Sequence, residues 1–208
     1  MNVAFWFDPV CPFCWMTSRW IDSIAAERDL DIDWQPISLL FKNDMEPGHP
    51  FYERASRTRD LLRVIESVRD AGFTNRVGDL YTEFGRRIHN DETPEFEVGP
   101  VLVQLGIDAS HADALSDARF DVAIRERMAV GLELTGPDVG TPLIAIDRSD
   151  GERVGFFGPV LTKFPQPDAA VALWDGFVAM ANDDGFFELK RTRTSAPDLP
   201  PVSAFNSN

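Results

Sequence analysis

The stretch from Val3 to Cys14 constrains the fold more than any other. An apolar run from about Val3 to Phe7 reads as a strand, Asp8-Pro9-Val10 as a turn, and Cys11-Pro12-Phe13-Cys14 as the opening of a helix. Pro12 suits the first helical turn, where a missing N–H breaks no hydrogen bond. Trp15, Trp20, Ile21 and Ile24 carry the helical spacing to about Arg28. Ile32 and Trp34 then alternate with Asp31, Asp33 and Gln35 in a second strand from Asp31 to about Ser38. The chain opens β-α-β.

From about Phe51 to Leu134 the period becomes helical, through Leu61, Leu62, Ile65 and Val68, then Leu80, Phe84 and Ile88, then Val98 to Leu105, then Phe120 to Leu134. Turn signals at Ala71-Gly72, Asp91 to Pro94 and Gly106 to Ser110 divide this block into four or five helices. A strand signal returns at Pro142 to Ile146, a turn at Ser149-Asp150-Gly151 leads to a second run from Val154 to Phe157, and a helix from Pro167 to about Met180 follows. A β-α-β unit and a β-β-α unit can share one sheet with the helical block inserted between them. The expected organisation is α/β, with residues 1–44 and 137–181 forming one sheet domain, 45–136 an all-helical insertion, and 182–208 a C-terminal extension. The Pro- and Ser-rich tail from Thr192 to Asn208 is expected to lie loosely on the body.

Two cysteines at i and i+3 on a helix lie about 5–6 Å apart at Cβ, within reach of a disulfide after modest adjustment. A thiol at a helix N-terminus meets unsatisfied N–H groups and the positive end of the dipole, which favour thiolate. Cys11 is thus the expected nucleophile and Cys14 the resolving thiol, in ordinary thiolate-on-disulfide exchange. A disulfide closing so short a loop restrains the unfolded chain little, which argues against a structural staple. Zinc would need further ligands, and His49, His89 and His111 have no regular ligand spacing, so no metal is expected. Gly140-Thr141-Pro142 stands at the start of the returning strand, where a proline costs no ladder hydrogen bond. A cis Thr141-Pro142 bond there would turn the Thr141 backbone toward the cysteine pair.

The net charge of −14 argues against nucleic acid or an anionic membrane as partner. The run from Met1 to Asp8 has no basic leader and is too short for a signal core or membrane span, so a cytoplasmic location is expected. In a reducing compartment a CxxC pair is catalytic or metal-binding rather than structural.

These residues resemble the DsbA-like thioredoxin-fold oxidoreductases, and within them the actinobacterial branch of mycothiol-dependent disulfide reductases and nitroreductases. Phe5-Trp6-Phe7-Asp8-Pro9, Trp15, Ser18-Arg19-Trp20, Arg87-Ile88-His89-Asn90, Val139-Gly140-Thr141-Pro142, Phe156 to Val160 and Phe186 to Thr194 carry the likeness across nearly the whole chain. The resemblance implies a thioredoxin fold with a helical insertion and a thiol-disulfide oxidoreductase without a tightly bound cofactor. It implies mycothiol as thiol co-substrate, directly or through a mycoredoxin, and low-molecular-weight or protein disulfides as partners. Pro12, Phe13, Thr141, Pro142, His89, Asn43 and Tyr52 are the implied substrate-binding positions. Relatives usually have Trp where this chain has Phe13, and DsbA has His. Phe13 offers Cys11 neither charge nor donor, so a reducing role is expected over an oxidising one.

Two other functions fit parts of the pattern. Kappa-type thiol transferases and isomerases share the inserted fold but resemble this chain less at the key position, with Ser for the first Cys. A chaperone-like module would use the helical block and need neither cysteine. Among further residues, His89 reads equally as a proton shuttle or a capping histidine, and the run Lys190-Arg191-Thr192-Arg193 as surface cations paired with acids ahead of a holder for a carboxylate-bearing thiol.

Overall fold

The structure, a computed structural model, describes residues 1–199. Strand β1 (Asn2–Phe7) leads to helix α1 (Pro12–Ile24) and strand β2 (Asp31–Pro36). A short α2 (Leu39–Lys42) precedes the helical block α3 (Tyr52–Asp70), α4 (Val77–His89), α5 (Val98–Gln104) and α6 (Asp121–Thr135). The chain then forms β3 (Leu143–Asp147), β4 (Arg153–Phe157) and α7 (Pro167–Ala181). The sheet order is β2-β1-β3-β4. β1 runs parallel to β2, with Phe5 opposite Trp34, and antiparallel to β3, with Phe5 opposite Ile144. This is the thioredoxin fold with a helical insertion that the sequence led one to expect.

β1 is buried on both sides, which is why it reads as an unbroken apolar run rather than an alternation. Val3, Phe5 and Phe7 join Ile144 and Ile146 in the larger core with Trp15, Trp20, Tyr81, Phe84 and Trp174. Ala4 and Trp6 join Leu143 and Ala145 on the opposite face, covered by Met128, Leu132 and Leu134 of α6. The Trp6 indole N–H donates to the Arg127 carbonyl at 2.8 Å, tying that helix to the central strand. Arg63 of α3 forks onto Asp121 of α6 at 2.6 and 2.7 Å, and Arg69 donates to the Trp34 carbonyl at 2.8 Å on the β2 edge strand. Among the described residues no helix is long and apolar enough to cross a membrane.

Three local expectations shift. α1 ends at Ile24 rather than near Arg28: the chain tightens there, Ala25 N donating to Asp22 O at 3.2 Å, and then turns through Asp29 at a φ of 50°. Ser38 lies outside β2 and caps the short α2, its hydroxyl accepting from Phe41 N at 3.5 Å. The expected turn from Gly106 to Ser110 runs into two short 3₁₀ helices, Ala109–Ser116 and Ala118–Phe120. The expected tail is described as far as Leu199, where Asp198 N donates to Thr162 O at 2.8 Å; its remainder lies outside the described residues.

α4 approaches α1 closely because Gly85 faces the Trp15 ring, where a Cβ would come within 2.4 Å of ring carbons. Trp15 cannot yield, being buried and held by its indole N–H to Asn90 Oδ1 at 3.0 Å. Gly85→Ala is therefore expected to destabilise the protein by about 1–3 kcal/mol despite the better helix propensity of alanine, measured as a lower urea midpoint.

Candidate active site

β1 ends by delivering Asp8 to the turn before α1, and the turn closes with Cys11 N donating to Asp8 O at 3.0 Å. Cys11 is the N-cap of α1, with extended backbone, and its sulfur accepts from Cys14 N at 3.4 Å. The sulfur occupies the place a serine oxygen takes at an ordinary N-cap. On its other side the Cys11 thiol points to the Thr141 carbonyl at 3.7 Å, and the Thr141–Pro142 bond is cis. The Thr141 hydroxyl faces the same sulfur but completes no hydrogen bond. Cys14 is wholly enclosed and donates to the Trp6 carbonyl at 3.5 Å, whereas Cys11 keeps 8% of its surface accessible. Both cysteines are free thiols.

Burial dominates the electrostatics. It pushes the Cys11 thiol above its ordinary value, against the opposing pull of Thr141, Cys14 and Phe13. Cys14 is pushed up further, by burial first and the neighbouring Cys11 second. The helix N-terminus suggested a stabilised Cys11 thiolate; desolvation, invisible in local sequence, outweighs it. Asp8, also fully buried, has its carboxyl pushed up to about 6 by desolvation. It is partly offset by N–H groups of Val10 at 3.0 Å and Leu39 at 2.7 Å and by the Thr58 hydroxyl. Its charge disfavours a thiolate on either cysteine. Asp8 read from sequence as a turn residue, and the only signal of burial was its position between an apolar strand and the CxxC.

Pro12 and Phe13 are half-buried, and the Arg193 guanidinium lies 4.2 Å from the Phe13 ring centroid. This member of the basic run is engaged by an aromatic face at the site. His89, at the end of α4, places Nε2 2.8 Å from the Pro9 carbonyl and stacks on Trp15 at 6.0 Å. A carbonyl only accepts, so Nε2 carries the hydrogen. Burial lowers the His89 pKa to about 4, leaving it neutral near pH 7. The histidine braces the turn that leads into Cys11. Asn43 is exposed at the end of α2 and Tyr52 half-buried at the start of α3. Among the described residues no hydrogen bond or ring contact joins either to the cysteine pair. Nor do three His, Cys, Asp or Glu side chains gather there as a metal-binding group.

A family model described as "Rv2466c-like: Mycothiol-dependent nitroreductase Rv2466c" matches residues 10–191. The uncharacterized protein Rv2286c of Mycobacterium tuberculosis (strain ATCC 25618 / H37Rv) is 28% identical over 202 residues, spanning 94% of this chain and 84% of that protein. Among solved structures, the cytosolic disulfide reductase DsbM from Pseudomonas aeruginosa is 14% identical, covers 86% of this chain and 100% of its own, and has a TM-score of 0.58. A 2-hydroxychromene-2-carboxylate isomerase is 16% identical, covers 87% of this chain and 95% of its own, and has a TM-score of 0.56. The two structures share the fold.

Holding His89 neutral has a stability consequence. Its folded pKa of about 4 lies below the ordinary 6.5, so its contribution is present above about pH 6.5 and lost as pH falls through about 4. Asp8, raised to about 6, acts oppositely across that range, so the comparison must be with a histidine variant. Between pH 7 and pH 4 the wild type is expected to lose about 2–3 kcal/mol more than His89→Gln in urea unfolding. Equal losses would mean that the imidazole is not held neutral.

Proposed function

We propose that this chain, which belongs to the Rv2466c-like family, is a cytoplasmic disulfide reductase working by dithiol-disulfide exchange at Cys11 and Cys14, with electrons from mycothiol directly or through a mycoredoxin. The observation that carries the reading is the placement of Cys11. Its sulfur sits at a helix N-terminus, keeps an accessible edge, and faces Thr141 at the start of β3. Cys14 lies one turn deeper with no exposed surface. An incoming disulfide therefore meets Cys11 first.

The Cys11 thiolate attacks one sulfur of the substrate, forming a mixed disulfide and releasing the other sulfur as a thiolate, which takes up a proton. Cys14, deprotonated, attacks Cys11 Sγ, releases the second substrate thiol and leaves the Cys11–Cys14 disulfide. Two mycothiol molecules reverse that oxidation and leave as their disulfide, so one substrate disulfide is reduced for each mycothiol pair oxidised. The Thr141 backbone beside Cys11 offers a bound peptide or thiol an edge to pair with, and Pro12 and Phe13 form the apolar rim. His89 holds the turn that aims Cys11.

The reducing direction follows from the thiols. A strong oxidant such as DsbA stabilises its reduced form through a thiolate of very low pKa. Here burial raises both thiols, and the Phe13 side chain adds no donor to the backbone N–H groups that oppose it at Cys11. The reduction potential, measured against glutathione or dithiothreitol buffers, is expected nearer the thioredoxin value of about −270 mV than the DsbA value of about −120 mV. A value at the DsbA end would overturn the reductase assignment.

Cys14→Ser produced in a mycothiol-making host is expected to carry mixed disulfides on Cys11, identified by mass spectrometry, with mycothiol among the adducts. Cys11→Ser is expected to lose all turnover. Absence of any adduct on Cys11 would remove the assignment of nucleophile and resolver.

A further inference from the structure

Two buried polar side chains on the inner side of Cys14 take no part in the exchange steps above: Tyr81, whose hydroxyl faces the thiol, and Arg19, which packs against the Tyr81 ring close enough to feel the charge of a Cys14 thiolate. Arg19, further along α1, is only 2% exposed. Its guanidinium carbon lies 4.5 Å from the Trp15 ring centroid and 5.8 Å from those of Tyr81 and Trp34. Nη1 donates to the Thr82 hydroxyl at 2.8 Å and to Asp22 at 3.3 Å, and Nε to the Ser18 hydroxyl at 3.3 Å. Nη2 has no partner. Asp22, the acid paired with it, is half-exposed and distant by the standard of a tight ion pair. A cation enclosed by aromatic rings is thus left short of countercharge, which is costly unless something supplies it.

Tyr81 of α4 is fully buried and stacked on Phe7 with ring centroids 4.0 Å apart, so its position is fixed. Its hydroxyl faces the Cys14 thiol and Ser18 yet completes a hydrogen bond with neither. Around one thiol stand an unused neutral donor and an undercompensated cation. Cys14 must become an anion to attack the mixed disulfide, and enclosure alone would suppress that anion. Asp8 and Cys11, the other titratable groups facing it, act against it as well.

We propose that Tyr81 and Arg19 form a preorganised pocket for the Cys14 thiolate, Tyr81 as a catalytic donor to the sulfur and Arg19 as its countercharge, and that this pocket drives the resolving step. The inference rests on the reading of Cys14 as resolver. In the resting dithiol the Cys14 proton is given to the Trp6 carbonyl, while the Tyr81 hydroxyl and Arg19 Nη2 stay idle. When that proton leaves, the sulfur accepts from Tyr81 and its charge completes the Arg19 environment. The S–S bond between Cys14 and Cys11 forms as the Cys11–substrate bond breaks. The departing thiolate takes up a proton, which balances the one Cys14 gave up. The donors cost no reorganisation when charge develops, because packing has already placed them.

The reduced protein mixed with dithiobis(nitrobenzoate) separates the two steps. Cys11 attack releases one nitrothiobenzoate, and Cys14 attack on the resulting mixed disulfide releases a second, both followed by absorbance in stopped flow. Tyr81→Phe and Arg19→Met are expected to slow the second release by about tenfold or more, the scale of one hydrogen bond to a charged group. Both should move its pH midpoint upward and leave the first release unchanged. Arg19→Lys, which keeps the charge, is expected to bring the midpoint back toward wild type. Tyr81→Phe removes a single oxygen from a ring already held by Phe7, so it reports even where Arg19→Met fails to fold. A second phase with wild-type rate and midpoint in Tyr81→Phe would overturn the proposal. A wild-type protein that releases only the first equivalent would instead overturn the dithiol reading on which it stands.

Discussion

The rest of the structure depends on burying β1 on both faces. A strand with helices above and below and partners on both edges has its backbone and its side chains from Val3 to Phe7 committed. That commitment fixes the residues that leave its C-terminal end. Trp6 presents its carbonyl to Cys14, Asp8 enters the core, and Cys11 lands at the start of α1. The antiparallel neighbour β3 begins beside the same end of the strand, which sets Thr141 against the Cys11 sulfur. Residues 130 positions apart meet because one strand is held by both neighbours.

Around the cysteine pair, burial and hydrogen bonding act in opposite directions, and burial is the larger. Three acidic groups, Asp8 and the two thiols, sit together with little water, and each is pushed toward its neutral form. Donors that would favour the charged forms are present but partly idle, as with the hydroxyls of Thr141 and Tyr81. Such a site holds its dithiol form as thiols and meets the cost of a thiolate only when one is formed. This suits a protein that gives electrons away more than one that extracts them.

The helical insertion does more than cover a sheet face. α4 and its C-cap contribute Tyr81 with its hydroxyl toward Cys14, His89 under the Pro9 turn, and Asn90 as a partner of the Trp15 indole. Its close approach to α1 at Gly85 brings these groups into range. From the other end of the chain Arg193 closes over Phe13. The accessible edge of Cys11 is thus bounded by segments that are remote from one another in sequence.

Much of this was legible in the sequence because it is local. The CxxC, its strand before and helix after, Pro12 at the first turn and the apolar run of β1 involve neighbours at fixed spacing, where backbone geometry leaves few choices. The approach of Thr141-Pro142 to the cysteines was expected from the resemblance to thioredoxin folds, since it joins segments far apart in the chain. The short α2, the early end of α1 and the 3₁₀ turns after Gly106 were missed because each depends on one cap or one positive φ rather than a sustained period. What the sequence alone determined is therefore the cysteine pair at the start of α1 and the sheet that presents it. Only the tertiary structure decided that the helix N-terminus loses to desolvation, that Asp8 is a buried acid, and that the Tyr81 hydroxyl faces Cys14 with Arg19 packed against the Tyr81 ring. Solvent exclusion and electrostatic neighbourhood belong to the packed whole, and no spacing along the chain encodes them.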